Sequence, residues 1–145
     1  MRIKSFITLL ALPMLAAAFI ASAQNASPVG RWKTYDEETG KPRLIVEVYE
    51  AKGGTYAAKV LDTLFAPNAV CTECKGDKKG KPIKGMVIMW GQKPAAAGSF
   101  EGGTILKLSN GKEYKSKARL LPGNKFEVSG CLGPMCKHQT WTREN

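Results

Sequence analysis

One histidine, His138, is all the imidazole this chain has. No serine lies in the glycine-flanked setting of a nucleophile elbow, so a serine–histidine–acid triad has no support. Acids are scarce too, 12 against 22 lysines and arginines. The adjacent Glu37 and Glu38 would point to opposite sides of an extended chain, which is wrong for a pair of catalytic carboxylates. The stretch Gly76-Asp77-Lys78-Lys79-Gly80-Lys81 lacks the spacing of a phosphate-binding loop. No helix-turn-helix and no aromatic-plus-basic RNA motif occurs, which argues against nucleic acid as a partner. After residue 27 no long 3.6-residue periodicity appears, so a helical bundle is not expected. An enzyme is thus the weakest of the functional readings, and no cofactor is expected.

What is present begins at the N-terminus. Met1-Arg2-Ile3-Lys4 is a short basic opening, Phe6 to Ile20 is apolar apart from Thr8 and Pro13, and Ala21-Ser22-Ala23 is a small-x-small site of the kind signal peptidase reads. Pro13 and the alanines make a poor spanning helix, because about 20 strongly apolar residues are wanted. Residues 1–23 are therefore expected to be a cleaved signal peptide with no transmembrane anchor remaining, 24–28 a short linker and 29–145 one domain. No cysteine follows the cleavage site directly, which argues against a lipid anchor there. A periplasmic or secreted protein is the expectation. The formal net charge of +10 stays strongly positive without Arg2 and Lys4. Outside the cytoplasm that favours anionic phospholipid or polysaccharide partners.

Beyond residue 27 the pattern has period 2, broken by turn residues. Tyr114, Ser116, Ala118 and Leu120 share one face, and Glu113, Lys115, Lys117 and Arg119 the other. Such alternation marks half-buried antiparallel strands. Eight are predicted, over 29–35, 43–50, 55–63, 83–90, 99–108, 112–121, 124–131 and 136–144, with Asn110-Gly111 and Pro122-Gly123 as strong turn signals. The fold class read from this is all-β, a single eight-stranded antiparallel up-and-down barrel, whose closure removes exposed strand edges.

The two ends of the domain support closure. Gly30-Arg31-Trp32 opens the first strand and Trp141-Thr142-Arg143 ends the last, so Arg143 is expected to stack on Trp32. This resembles the lipocalins, in which a glycine-x-tryptophan on the first strand meets an arginine of the last. Four segments, "SPVGRWKTYDEETGKPRLIVEVYE", "CTECKGDKKGKPIKGMVIMWG", "FEGGTILKLSNGKEYKSKARL" and "QTWTREN", taken in order, resemble the bacterial secreted family called domain of unknown function 2147. The resemblance implies a small calycin-like barrel in the bacterial envelope and carries no assigned activity. Two places depart from that family's pattern. Leu108-Ser109 stands where an acid-proline turn is usual, and Cys131-Leu132-Gly133 where the strand end is often aromatic.

In a meander, loops after the odd strands share one rim, opposite the Trp32–Arg143 end. That rim would collect Asp36, Thr39, Lys41, Lys75, Lys78 and Lys79, together with all four cysteines. A redox-active pair would want a helix N-terminus, and Lys75-Gly76-Asp77 is a poor helix start. A four-cysteine zinc site has permissible spacing within each pair but needs the long loop to cross the mouth. Local disulfides Cys71–Cys74 and Cys131–Cys136 are preferred over crossed ones, because bridged Cα atoms must lie within about 7 Å.

Two functions follow. The first is a binding module that holds a small apolar or anionic lipid-like ligand inside the barrel. Tyr56, Val60, Met86, Ile88, Trp90, Tyr114 and Leu120 are its candidate lining. The second is a structural or interaction protein of the envelope, with a filled barrel and the rim as docking face. An eight-stranded barrel can be filled by its own side chains, so either interior is physically open to this sequence.

Overall fold

The computed structural model describes residues 27–145. The predicted signal peptide, its cleavage site and most of the linker lie outside the described residues. Eight antiparallel strands form a closed barrel in sequence order: β1 (Gly30–Tyr35), β2 (Pro42–Glu50), β3 (Tyr56–Thr63), β4 (Val87–Pro94), β5 (Ser99–Lys107), β6 (Lys112–Leu121), β7 (Lys125–Leu132) and β8 (Met135–Glu144). Lys52–Gly54 and Gly76–Lys78 are short 3-10 turns. Inward positions are mostly apolar, with Thr34, Gln92 and Ser116 as polar exceptions, while Arg31, Lys33, Glu47, Lys59, Lys115, Lys117, Arg119 and Glu127 are partly or fully exposed. A barrel that crosses a bilayer needs the opposite distribution, apolar outside.

Closure is made by β1 against β8, with Trp32 opposite Arg143. The Arg143 guanidinium lies 4.2 Å from the Trp32 ring centroid. It also donates to the carbonyls of Val29 at 3.0 Å and Ser27 at 2.9 Å. Trp32 Nε1 donates to the Pro28 carbonyl at 2.8 Å, so the incoming chain is tied down from both sides. Gly30 permits this approach. Its φ is +136°, and a Cβ there would fall 2.6 Å from Arg143 Nη1.

Above that plug the closed half of the barrel is filled with rings. Trp32 meets Phe126 at 5.2 Å, Phe126 meets Trp141 at 5.9 Å and Phe100 at 6.0 Å, and Phe100 meets Tyr56 at 5.3 Å. Such pairs add about 0.5–1.5 kcal/mol each beyond the area they bury. Further up, the lumen depends on glycine to accommodate its neighbours. A Cβ at Gly103 would lie 2.6 Å from Gln92 Cδ, and one at Gly130 would lie 3.4 Å from Ile105. Gln92 is fully buried and donates to Ser116 Oγ at 2.7 Å.

The predicted fourth strand, 83–90, is displaced toward the C-terminus. Ile83 to Met86 turn instead, with Met86 N–H on the Ile83 carbonyl, and β4 runs through Gly91 to Pro94. Gly91 has φ +70° within the strand, at an irregularity where the β3–β4 register shifts. Pro94 needs no N–H partner at the strand end.

Candidate functional site

The open end is dominated by the 64–86 segment, which folds back on itself. Val70 bridges Pro82, and Cys71 N–H and the Cys71 carbonyl pair with Lys81 and Gly80. Cys71 and Cys74 are joined in a disulfide with Cα atoms 5.3 Å apart, and both belong to the buried core cluster. Cys131 and Cys136 are the second bridge, between directly paired positions of β7 and β8. The four-cysteine zinc alternative is thereby corrected: the sulfurs are spent on two local disulfides. Among the described residues no group of three or more metal-ligating side chains assembles elsewhere.

The clasped loop presses on the β5–β6 turn. Gly111 has φ +69°, and a side chain there would run into the Glu73 carbonyl. The turn itself is braced by Asn110 Nδ2, which donates to Tyr114 Oη at 2.9 Å. From the loop Lys78 reaches over the barrel wall, its Nζ 4.5 Å from the Trp90 centroid and 3.7 Å from Glu113 Oε1. Two clefts flank it. One, open and of about 520 Å³, is lined by Pro82, Met86, Val87 and Trp90 together with Asp77, Lys78, Lys81 and Lys84. The other, of about 440 Å³, lies among Cys74, Lys75, Lys78, Leu106, Tyr114 and Leu132.

Of the seven predicted lining residues, Val60, Met86 and Ile88 belong to one core cluster, Tyr56, Trp90 and Leu120 pack against it, and Tyr114 lines the second cleft. Tyr56 belongs to the aromatic plug. Trp90 stands on the outer wall. Its neighbour Met89 is the fully buried one, paired with Ala58 and Ile105, while Trp90 lies under Lys78. Met86 and Tyr114 border the clefts.

The predicted rim residues divide by role. Asp36 accepts from the backbone of Thr39 at 2.8 Å, from Thr39 Oγ1, from Glu38 N–H and from Arg43. The Thr39 backbone and hydroxyl bonds hold its carboxyl below the usual aspartate range, with Glu38 N–H and the Arg43 charge assisting. Asp36 and Thr39 therefore build the loop they sit on. Lys41, Lys75 and Lys79 are exposed. Glu37 is held by Lys107 across from it on β5 at 3.1 Å.

His138 stands on the outer face of β8 with Nδ1 2.7 Å from Ser129 Oγ and 3.7 Å from Glu127 Oε1. Serine and carboxylate share one ring nitrogen, whereas a relay needs them on opposite nitrogens. Sequence reasoning missed Lys81 and Lys84, Glu113 as partner of Lys78, and the apolar pair Leu132 and Met135. No local signal marked the last, because whether a hairpin tip stands clear of its neighbours is set by the barrel around it.

A family model described as "Uncharacterized protein conserved in bacteria (DUF2147)" matches residues 30–143. Among solved structures, this fold is similar to that of protein HP1028 from the human pathogen Helicobacter pylori, described as belonging to the lipocalin family. The TM-score is 0.73 at 19% identity, over 83% of this chain and 84% of that one. No curated protein matches the chain.

Proposed function

The chain belongs to this bacterial DUF2147 family, and from that premise we propose that it is an exported binding module of the cell envelope that takes a small anionic amphiphile. The bound molecule lies against the outer wall beside the clasped loop. One observation carries the reading: Lys78 is suspended over Trp90, beside an open cleft lined by Met86, Val87 and Pro82 with Lys81 and Lys84. Apolar and cationic side chains lining one cleft suit an acyl or aromatic body with a carboxylate or phosphate head. The packed lumen supports this placement over the interior one. Export is supported by two disulfides, which persist in oxidising compartments.

The test uses dodecyl phosphate, with dodecanol as the neutral control. Trp32 and Trp141 are buried, so acrylamide quenching reports mainly on Trp90. Dodecyl phosphate protects Trp90 saturably and dodecanol does so more weakly. Replacing Lys81 and Lys84 together with serine lowers the affinity about 2- to 30-fold, the range of two exposed ion pairs. Protection that never saturates, or that is equal for both probes, removes the cleft reading.

A further inference from the structure

Large apolar side chains left in water are unevenly placed on this molecule. Six are exposed among the described residues: Val29, Leu64, Phe65, Val70, Leu132 and Met135. Val29 precedes β1 at the closed end. The other five lie at the open rim, Leu64, Phe65 and Val70 in the segment after β3, and Leu132 and Met135 at the tip where β7 meets β8.

Leu132 and Met135 are the extreme cases, 75% and 78% exposed, and they face each other across the Gly133-Pro134 turn. Directly below them the Cys131–Cys136 bridge joins the two strands. The tip is thus held in shape while presenting apolar groups to solvent, which costs free energy unless something covers them. Beside this apolar rim the 64–86 segment carries five lysines, Lys75, Lys78, Lys79, Lys81 and Lys84, against Glu73 and Asp77. Lys112 and Lys137 flank the hairpins at the same end.

We propose that this rim docks the protein onto an anionic phospholipid surface, with the Leu132–Met135 tip entering the interface and the lysines meeting headgroups. Apolar side chains ringed by lysine are the chemistry of interfacial attachment. The charged outer wall stops entry at the rim, so the barrel rests on the bilayer and does not cross it. A second copy is a poorer occupant, because face-to-face pairing would bring the two lysine clusters together. The rim shares Lys78, Lys81 and Lys84 with the first cleft, but the test separates the two readings, because Leu132→Ser and Met135→Ser leave Trp90, Lys81 and Lys84 in place.

The experiment is co-sedimentation of the purified protein with vesicles of phosphatidylcholine containing about one third phosphatidylglycerol, against pure phosphatidylcholine. Binding to the anionic vesicles is expected, weakened by high salt. The Leu132→Ser/Met135→Ser variant lowers it about tenfold with an unchanged melting curve, since both side chains stand in water. Lys117→Ser, on the outer wall, leaves it unaltered. Equal binding to both vesicle types, or a double variant that binds as the parent does, overturns the proposal. So does concentration-dependent dimerisation that the double variant abolishes, which assigns the face to a second copy.

Discussion

Replacing Arg143 with alanine removes three interactions at once, and their sum can be set against a melting curve. The guanidinium stacks on Trp32 at 4.2 Å and donates to two carbonyls of the entering chain, at 3.0 and 2.9 Å. The stacking contributes about 0.5–2 kcal/mol. Each hydrogen bond, at an exposed site, contributes about 0.5–1.5 kcal/mol. The expected loss is therefore about 1.5–5 kcal/mol, a fall in Tm of roughly 5–20 °C for a domain of this size. Arg143→Lys keeps the charge but not the planar fork that spans both carbonyls, and recovers less than half of the loss. Gly30 gives a sharper check. Gly30→Ala alone suffers both the strain of φ +136° and a clash with Arg143 Nη1. In an Arg143→Ala background the clash is gone and only the strain remains. The two substitutions should thus be non-additive, with a coupling of at least about 0.5 kcal/mol in a urea double-mutant cycle. Strict additivity, or an Arg143→Ala protein melting within a degree of the parent, would refute the account of barrel closure.

Gly111→Ala pushes against the Glu73 carbonyl and cannot relax at φ +69°, so it should lift the clasped loop and raise the acrylamide quenching of Trp90; unchanged quenching would show that the loop is not seated by this glycine. Asp36 has a carboxyl held below its usual range. Its contribution to loop order is therefore present above the ordinary aspartate pKa and is lost as pH falls through the lowered value. An NMR titration of the Asp36 carboxyl should give a midpoint below the ordinary aspartate value, with faster Thr39 amide exchange appearing only below that midpoint. A midpoint at or above the ordinary value would contradict the hydrogen-bond network.

How far these features were legible depends on whether their cause is local. Strand β6 was readable nearly to the residue, because Lys112 to Leu121 alternates without interruption and Asn110-Gly111 and Pro122-Gly123 bound it. The local disulfides were readable because the meander separates the two cysteine pairs by half a circumference. Strand β4 was not readable. Alternation predicts a face only while the register holds, and the β3–β4 ladder shifts between Tyr56 and Ala58 and again between Ala58 and Lys59. Each irregularity exchanges the faces beyond it. Trp90 therefore reaches the outer wall although its spacing from Met86 and Ile88 suggested the lumen. The exposure of Leu132 and Met135 was hidden for another reason: how far a hairpin projects past its neighbours is a tertiary property.

The same physics favours the proposed binding surface on the outside of the barrel. Eight strands enclose only about enough space for their own side chains, and here five aromatic rings occupy the closed half. Opening a lumen for a ligand would mean replacing Trp32, Phe126 or Phe100, each large-to-small change costing about 3–5 kcal/mol, a large share of a domain's whole stability. Adding surface at a rim loop carries a far smaller cost, because loop-closure entropy grows only slowly with length. The 64–86 segment is a rim loop of that kind. Its disulfide and its seat on Gly111 supply the order that a long loop lacks, and its Lys78 faces a wall carrying Trp90 and Glu113. A barrel with a filled interior can acquire recognition chemistry in this way without a cavity at its centre.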